Sequence, residues 1–444
     1  MAPLKPRFVI VTPMKDEGPY ILEWVAHNQA IGADRIVVFS NDCSDGSDAL
    51  LDRLDQIGAI THVDNTSTRP VSPQKRAYKR FLKMNIATDE DWVIPIDADE
   101  HINVKTGDHS LQALVDAVPD ARMISMTWRL FGNAGVETYH DSFITDQFRR
   151  AAPEWMPRPP QAWGFKTMFK RGLWDFIGVH RPKRPRIFGM EDAHWVNGSG
   201  QPMPERYFTG QWRSMRDSVG YDLVQINHYA LKSCESYLVK KMRGRAHHTG
   251  DTLGLDYWTM MNHNAEEDSS LDAVQPRKAK KFAALMADPE VISDRNRYQE
   301  VMIRHGELKS LVDAFRRYRE AEGELAEADE LIPLEEDAEM RDYLQTVAKE
   351  RRAEIEQLDL DLRRLLVPKD PNDDKDVIVE LRAAAGGDEA SLWAGDLYRM
   401  FERYAERHGW KLEPINLSWS DGGGISFGQF AIKGRGAYSQ FKWE

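Results

Sequence analysis

Hydrophobic and polar positions switch between two periods along the first hundred residues. Arg7–Thr12 (RFVIVT) is a short run of β-formers, and Ile21, Leu22, Trp24, Val25 and Ile31 then recur at helical spacing over Pro19–Ile31. Arg35–Ser40 (RIVVFS) reads as a second buried strand. Leu50, Leu51, Leu54 and Ile57 give one apolar face to a helix over Asp45–Ile57. Ala59–Val63 is a third strand, Pro73–Ile86 a third helix and Trp92–Ile96 a fourth strand. Strands separated by helices predict a parallel sheet with right-handed crossovers. The polar segments Thr12–Glu17, Asn41–Ser47, Asp64–Ser67 and Asp97–Glu100 then share one edge of that sheet, where open α/β sheets hold their ligands.

From about Lys278 the pattern changes to long charged helices. Leu308, Leu311, Val312, Phe315 and Tyr318 recur at three and four, as do Met340, Tyr343, Leu344 and Val347, then Ile355, Leu358, Leu362 and Leu365. Two amphipathic helices packed as an antiparallel pair are expected. After a charged break at Pro368–Lys375, Val377, Val379 and Leu381 alternate as a strand. A helix carrying Leu397, Met400, Phe401 and Tyr404 follows, and Ile415, Leu417 and Trp419 alternate again. Phe430–Trp443 is expected as a last strand whose Phe430, Ile432, Tyr438, Phe441 and Trp443 leave an exposed edge. The seam near Leu285–Pro289 divides the chain into an α/β domain, residues 1–285, and an α+β domain of long helices and a small sheet, residues 286–444.

Composition narrows the function. The 444 residues favour two or three domains, and 41% hydrophobic content is enough for real cores. A net charge of -12 gives no bulk electrostatic support for nucleic-acid binding. Cys43 and Cys234 have neither a disulfide framework nor zinc spacing and read as reduced thiols. With no apolar signal core near Met1 and no apolar run of membrane-spanning length, a soluble cytoplasmic protein is expected.

The strand-like Trp92–Ile96 empties into Asp97-Ala98-Asp99-Glu100. Two carboxylates one residue apart at the end of a buried strand can share a hard divalent cation, Mn²⁺ or Mg²⁺, which then bridges substrate phosphates. Asp-x-Asp also caps turns by chance, and it is the position after several βα units that favours the ligand reading. Asp16 and Asn41 follow the first two strands and read either as binding residues for a base and ribose or as cap and turn residues. Lys240, Lys241, Arg243 and Arg245 form a basic cluster suited to a diphosphate, to an anionic acceptor, or to a solvated helix face.

Val11-Thr12-Pro13-Met14-Lys15-Asp16-Glu17, Leu22-Glu23-Trp24, Asn41-Asp42-Cys43-Ser44-Asp45-Gly46 and Asp97-Ala98-Asp99-Glu100 resemble, in order and spacing, the family 2-type glycosyltransferases of the Rossmann-like GT-A fold. Asn227-His228-Tyr229-Ala230-Leu231-Lys232-Ser233, with Lys240 and Arg243-Gly244, is similar to the closing motif of one bacterial branch. His101 departs from the pattern, standing where an aromatic or aliphatic residue is expected. The resemblance covers roughly the first 280 residues. It implies a nucleotide-diphosphate sugar donor, bound by Thr12, Asp16, Asn41, Asp97, Lys240 and Arg243, and a metal held by Asp97, Asp99 and His228. For His228 the other reading is a buried, hydrogen-bonded histidine. The acceptor is an unspecified glycan, lipid or protein. An inverting transfer needs a carboxylate base, and the resemblance puts it about a hundred residues past the metal motif, at Glu191 or Asp192. His180 is a further pocket candidate, and Trp155, Trp163, Trp174, Trp195 and Trp212 crowd the acceptor half.

The last third resembles something different. Ala385-Gly386-Gly387-Asp388-Glu389-Ala390, Ala394-Gly395-Asp396-Leu397-Tyr398-Arg399-Met400, Tyr404-Ala405-Glu406-Arg407 and Gly436-Ala437-Tyr438-Ser439 are similar to the N-terminal half of bacterial class I peptide chain release factors, from roughly Asp288 onward. That resemblance implies a weak ribosome contact through the tail. The sequence contains no Gly-Gly-Gln, so peptidyl-tRNA hydrolysis is not expected of it. The two readings are a metal-dependent glycosyltransferase with an inert or scaffolding tail, and a ribosome-associated release-factor-like protein.

Overall fold

The computed structural model describes residues 6–67, 72–243, 255–293, 308–335, 337–365, 375–383, 386–434 and 436–441. Two compact units are present, Met1–Leu366 and Val367–Glu444.

The first unit is a mixed α/β structure. Its strands are β1 (Phe8–Met14), β2 (Arg35–Ser40), β3 (Thr61–Asp64), β4 (Trp92–Pro95), β5 (Glu100–Val104), β6 (Met123–Leu130), β7 (Phe165–Lys170), β8 (Trp195–Val196) and β9 (Val224–His228). They form one sheet in the order β3-β2-β1-β4-β7-β6-β9-β5, with β8 paired to β6. The run β3-β2-β1-β4 is parallel. The expected βα pattern is therefore found, with α1 (Gly18–Ala30), α2 (Ser47–Gln56) and α3 (Pro73–Met84) as its crossovers. β7 enters antiparallel between β4 and β6, and β9 runs parallel to β6. The carboxyl ends of β1, β4, β6 and β9 thus share one edge.

β1 shows why this sheet is buried on both faces. Phe8 and Ile10 pack into one apolar layer with α1 and α2, while Val9 and Val11 pack into the other with Ala77, Tyr78 and Phe81 of α3. A period of two with apolar residues at every position is what a sheet covered on both sides requires.

Later helices complete the unit: α4 (Met190–Ala193), α5 (Cys234–Arg243), α6 (Leu255–Met261), α7 (Gln275–Leu285) and the long pair α8 (Leu308–Leu331) and α9 (Ala338–Leu365). The pair is tied by Arg351 to Glu324, Arg352 to Asp329 and Arg317 to Glu354. Leu362, Ala314 and Tyr318 join Tyr237, Leu238, Trp258 and Met261 in one apolar cluster, so the hairpin packs on α5 and α6.

The second unit contains β10 (Val377–Arg382), α10 (Gly387–Arg407), β11 (Lys411–Trp419) and β12 (Ile425–Lys433). The sheet order is β10-β12-β11, all antiparallel. Ala394, Tyr398, Phe401 and Ala405 of α10 pack against Ile425, Phe430 and Ile432. Here the expectation of a last, exposed strand is corrected. β12 is the central strand, Phe430 and Ile432 are fully buried, and Ala437–Phe441 is a short helix. Trp443 lies outside the described residues.

Candidate functional site

A cavity of about 900 Å³ opens at the carboxyl-end edge of the first unit's sheet, within the range of small-molecule sites. Asp97 and Asp99 lie on its wall in the turn joining β4 to β5, and His228 and Lys240 face them. The closing motif explains that meeting. β9 pairs with β5 so that His228 sits opposite Glu100, and the Tyr229 N–H donates to the Asp99 carbonyl at 2.9 Å. Ser233 then caps α5 by accepting from the Ser236 N–H at 3.1 Å. The helix carries Lys240 back over the turn, where its Nζ donates to Asp99 Oδ2 at 2.6 Å and to the Ala230 carbonyl at 3.0 Å.

The two aspartates have different partners. Asp97 accepts from Lys166 Nζ at 2.8 Å and from Gln74 Nε2 at 3.1 Å. Asp99 has Lys240 on one oxygen, and His228 Nε2 is 3.8 Å from the other. Burial opposes the charge on Asp99, but Lys240 and His228 hold its carboxyl well below the usual range. Burial also opposes the charges on Lys166 and Lys240, yet their aspartates raise both pKa values. Behind them, burial pushes the Glu100 carboxyl up to about 8, with Asp97 and Asp99 adding to the rise.

His228 Nδ1 is buried without a hydrogen-bond partner, and the ring rests on Trp128 at 4.6 Å between centroids. Gly164 makes room for that indole, since a Cβ there would lie 2.2 Å from Trp128 Cε3. Trp128 also meets His180 at 5.5 Å, and His180 meets Trp212 at 5.3 Å. All three rings line the cavity. A carboxylate and an imidazole suit Mn²⁺ or Mg²⁺ supplemented by phosphate oxygens and water. Asp99 and His228 fit that donor set, whereas Asp97 is already engaged by Lys166 and Gln74. Among the described residues no group of three or more His, Cys, Asp and Glu is arranged to hold a metal.

The other expected site residues fall elsewhere. Thr12, Asp16 and Asn41 are buried and are not among the described residues lining the cavity. Asp16, at φ 51, accepts from the Ser44 and Asp45 N–H groups through Oδ1. Asn41 donates to the Met14 and Phe39 carbonyls and accepts from Asn65. The Thr12 hydroxyl donates to the Pro13 carbonyl. These residues hold the loops that shape the site. Arg243 ends α5, but its side chain lies outside the described residues, as do those of Lys241 and Arg245.

Glu191 and Asp192 are not brought to the cavity. They lie on α4, just before β8, which pairs with the Met123 end of β6. His228 pairs at the Leu130 end, seven residue steps or roughly 23 Å of strand away. Asp192 instead accepts from the Phe188 N–H. Sequence reasoning missed Lys166, Gln74 and Trp128. The one signal for Lys166 is a lysine inside the apolar strand Phe165–Lys170. Of the five tryptophans expected near an acceptor, only Trp212 lines the cavity; Trp174 and Trp195 are core.

Comparison with known proteins bears mainly on the last third. Residues 276–444 match the family model described as the PCRF domain. The chain is 45% identical to peptide chain release factor 1 of Bacillus mycoides over 174 residues, 39% of this chain and 49% of that protein. With peptide chain release factor 1 of Bacillus subtilis the identity is 45% over 164 residues, 37% and 46% of the two chains. The chain spans about half the length of the curated relatives it matches. Residues 276–444 are thus similar in sequence to part of the release factors. A crystal structure of S. aureus TarS in complex with UDP is 12% identical over 81% of this chain and 91% of that one, with a TM-score of 0.24, a likeness that establishes nothing further. No helix among the described residues is long and apolar enough to cross a membrane.

Proposed function

We propose that the α/β part, residues 1–285, is a glycosyltransferase that takes its sugar from a nucleoside-diphosphate donor, and that the release-factor-type segment, residues 286–444, contributes no chemistry. One observation carries this. Residues far apart in the chain, Asp97 and Asp99 at one turn and His228 and Lys240 on one strand–helix unit, converge on a single cavity. Among the described residues, Lys15, Lys75, Arg181, Lys183 and Lys240 outnumber the acidic Glu17, Asp97 and Asp99 along its wall. In a chain of net charge -12 that local surplus favours an anionic ligand such as a diphosphate.

Asp99 and His228 would hold the metal, and Asp97 would reach the donor's ribose or join the metal by releasing Lys166. A bound divalent cation would neutralise charge on the diphosphate leaving group. Lys240 keeps Asp99 ionised and can move from it to a phosphate oxygen. The acceptor is a glycan, lipid or protein hydroxyl. An inverting outcome is the reading we favour, because among the described residues the cavity offers no unpaired carboxylate suited to a covalent intermediate. A cytoplasmic location fits both a nucleotide-sugar donor and the release-factor similarity.

The test is hydrolysis of a panel of UDP-, GDP-, CDP- and dTDP-sugars by the purified chain, with and without Mn²⁺. Metal-stimulated cleavage of one donor supports the reading. No binding and no cleavage of any donor refutes it.

A further inference from the structure

The transfer proposed above needs a group to take the acceptor's proton, and Glu191 and Asp192 stand at the wrong end of β6. Among the described residues, five groups on the cavity wall could accept a proton near neutral pH: Glu17, Asp97, Asp99, His180 and His228. Each carboxylate faces a lysine, Glu17 with Lys232 at 3.6 Å, Asp97 with Lys166 at 2.8 Å and Asp99 with Lys240 at 2.6 Å. Each carboxylate is thus drawn toward a cation and away from an incoming hydroxyl. His228 lies against Asp99.

His180 is different. Its Nδ1 lies 3.0 Å from the Phe165 carbonyl, which can only accept, so Nδ1 carries the proton and Nε2 carries the lone pair. Among the described residues Nε2 makes no hydrogen bond. Trp128 and Trp212 both contact the ring, at 5.5 and 5.3 Å between centroids. Trp128 also touches His228, so a single indole separates His180 from the residues placed around the donor's diphosphate. Trp212 is 38% exposed and offers a free aromatic surface at the mouth, the kind of platform on which a sugar ring stacks.

We infer that His180 is the general base of the glycosyl transfer, an inference that rests on the proposed function. The acceptor hydroxyl gives its proton to His180 Nε2 as its oxygen bonds to the donor's anomeric carbon. The bond from that carbon to the diphosphate oxygen breaks, and the nucleoside diphosphate leaves with the electron pair. The imidazolium then passes its proton to solvent. Burial, and then the charge of Lys166, push the ring's pKa down to about 4, so it enters the reaction neutral. A bound diphosphate counters Lys166 and strengthens the base.

With no acceptor identified, water serves as the acceptor, and the probe is whichever donor of the panel the full-length chain hydrolyses. His180→Asn keeps an amide donor for the Phe165 carbonyl and removes the lone pair at the Nε2 position. It should lower hydrolysis by about 10²- to 10⁴-fold while the Kd for the matching nucleoside diphosphate stays within about threefold. Imidazole added to His180→Ala should restore part of the rate, which a purely structural role would not allow. Hydrolysis by His180→Asn within about threefold of the parent overturns the inference while leaving the proposed function intact. So does a joint loss of hydrolysis and nucleotide binding without imidazole rescue. If the parent chain neither binds nor cleaves any donor, the proposed function falls and the base assignment falls with it.

Discussion

Lys240 Nζ and Asp99 Oδ2 lie 2.6 Å apart although the residues stand on different elements, one on α5 and the other at the turn before β5. Each is only 15% exposed at its side chain, so the pair is partly shielded from water and does more than a surface ion pair. Asp99→Ala should abolish metal-stimulated donor hydrolysis, since Asp97 alone cannot replace a shared chelate. Lys240→Met should weaken binding of the nucleoside diphosphate by about tenfold or more, a charge-assisted contact being worth roughly 1.5–3 kcal/mol. Calorimetric titration with the diphosphate and rate measurements at saturating Mn²⁺ check both, and unchanged metal-stimulated turnover in Asp99→Ala would refute the metal assignment.

His228→Ala separates ligation from packing. The ring contacts Trp128 and lies 3.8 Å from Asp99, yet its Nδ1 has no partner to lose. We expect the Mn²⁺ concentration for half-maximal hydrolysis to rise by about tenfold or more, the loss of roughly 1.4 kcal/mol of metal binding. The melting temperature should fall by only a few degrees, about what 1 kcal/mol costs a domain of this size. A large drop in melting temperature with an unchanged metal requirement would make His228 structural.

The chain revealed its parallel half and hid its mixed half for a physical reason. Ile10, Val11, Val37 and Phe39 announce strands because local period and local burial agree, and Asp97 and Asp99 follow a strand whose end was visible. β7 is inserted between β4 and β6 by long-range antiparallel pairing, which no local period records. Lys166 was therefore missed, although it is fully buried against Asp97. The placement of Glu191 and Asp192 away from the cavity was not legible, because distance along the chain does not tell which end of β6 the returning segment reaches. β12 was read as an edge because its partners β10 and β11 both precede it, and nothing in its own sequence says that it passes between them. His228 needed the family resemblance, since a histidine before a tyrosine has no spacing of its own.

Two buried histidines set an acid limit on stability. His27 donates to the Ile102 carbonyl, while both ring nitrogens of His101 are buried without partners. Burial pushes His27 down to about 3 and His101 well below the ordinary value, with Lys278 and the neighbouring ring adding to it. Both pKa values are lower folded than unfolded, so the unfolded chain binds more protons below about pH 6.5. The stabilisation is complete above that pH and is lost as pH falls toward 3, at up to about 1.4 kcal/mol per pH unit for each ring. Urea midpoints measured between pH 7.5 and about 4.5 should fall by less than the two rings alone imply, since Glu100, pushed up to about 8, works in the opposite direction over that window. His101→Phe, which places an aromatic ring where the family pattern expects one, should make the slope shallower without loss of stability at pH 7. A pH-independent midpoint in the parent chain would contradict this.

The last prediction concerns where the transferase ends. The match to the PCRF domain starts at residue 276, inside α7, yet α7 packs on α1 within the α/β unit. Lys278 Nζ is buried against Glu23 at 2.9 Å and lies 4.1 Å over the Phe143 ring, and Glu23 also accepts from the Ile144 and Thr145 N–H groups. Leu285 and Val291 sit in the same apolar core as β1, and Asp288 pairs with Arg53 at 2.6 Å. A boundary near residue 285 therefore needs the next few residues as well. A chain ended after residue 293 should fold and hydrolyse donor at the parent rate. One ended at Val274 leaves the Glu23 carboxylate buried without its cation, at a cost of about 3–5 kcal/mol. Lys278→Met in the full chain should show a loss of the same order. Thermal melts and donor hydrolysis on the three proteins decide the matter. Equal stability of the two shortened chains would show that α7 docking contributes nothing. A folded but inactive chain ending at residue 293 would make the α8–α9 hairpin, packed on α5 and α6, part of the enzyme.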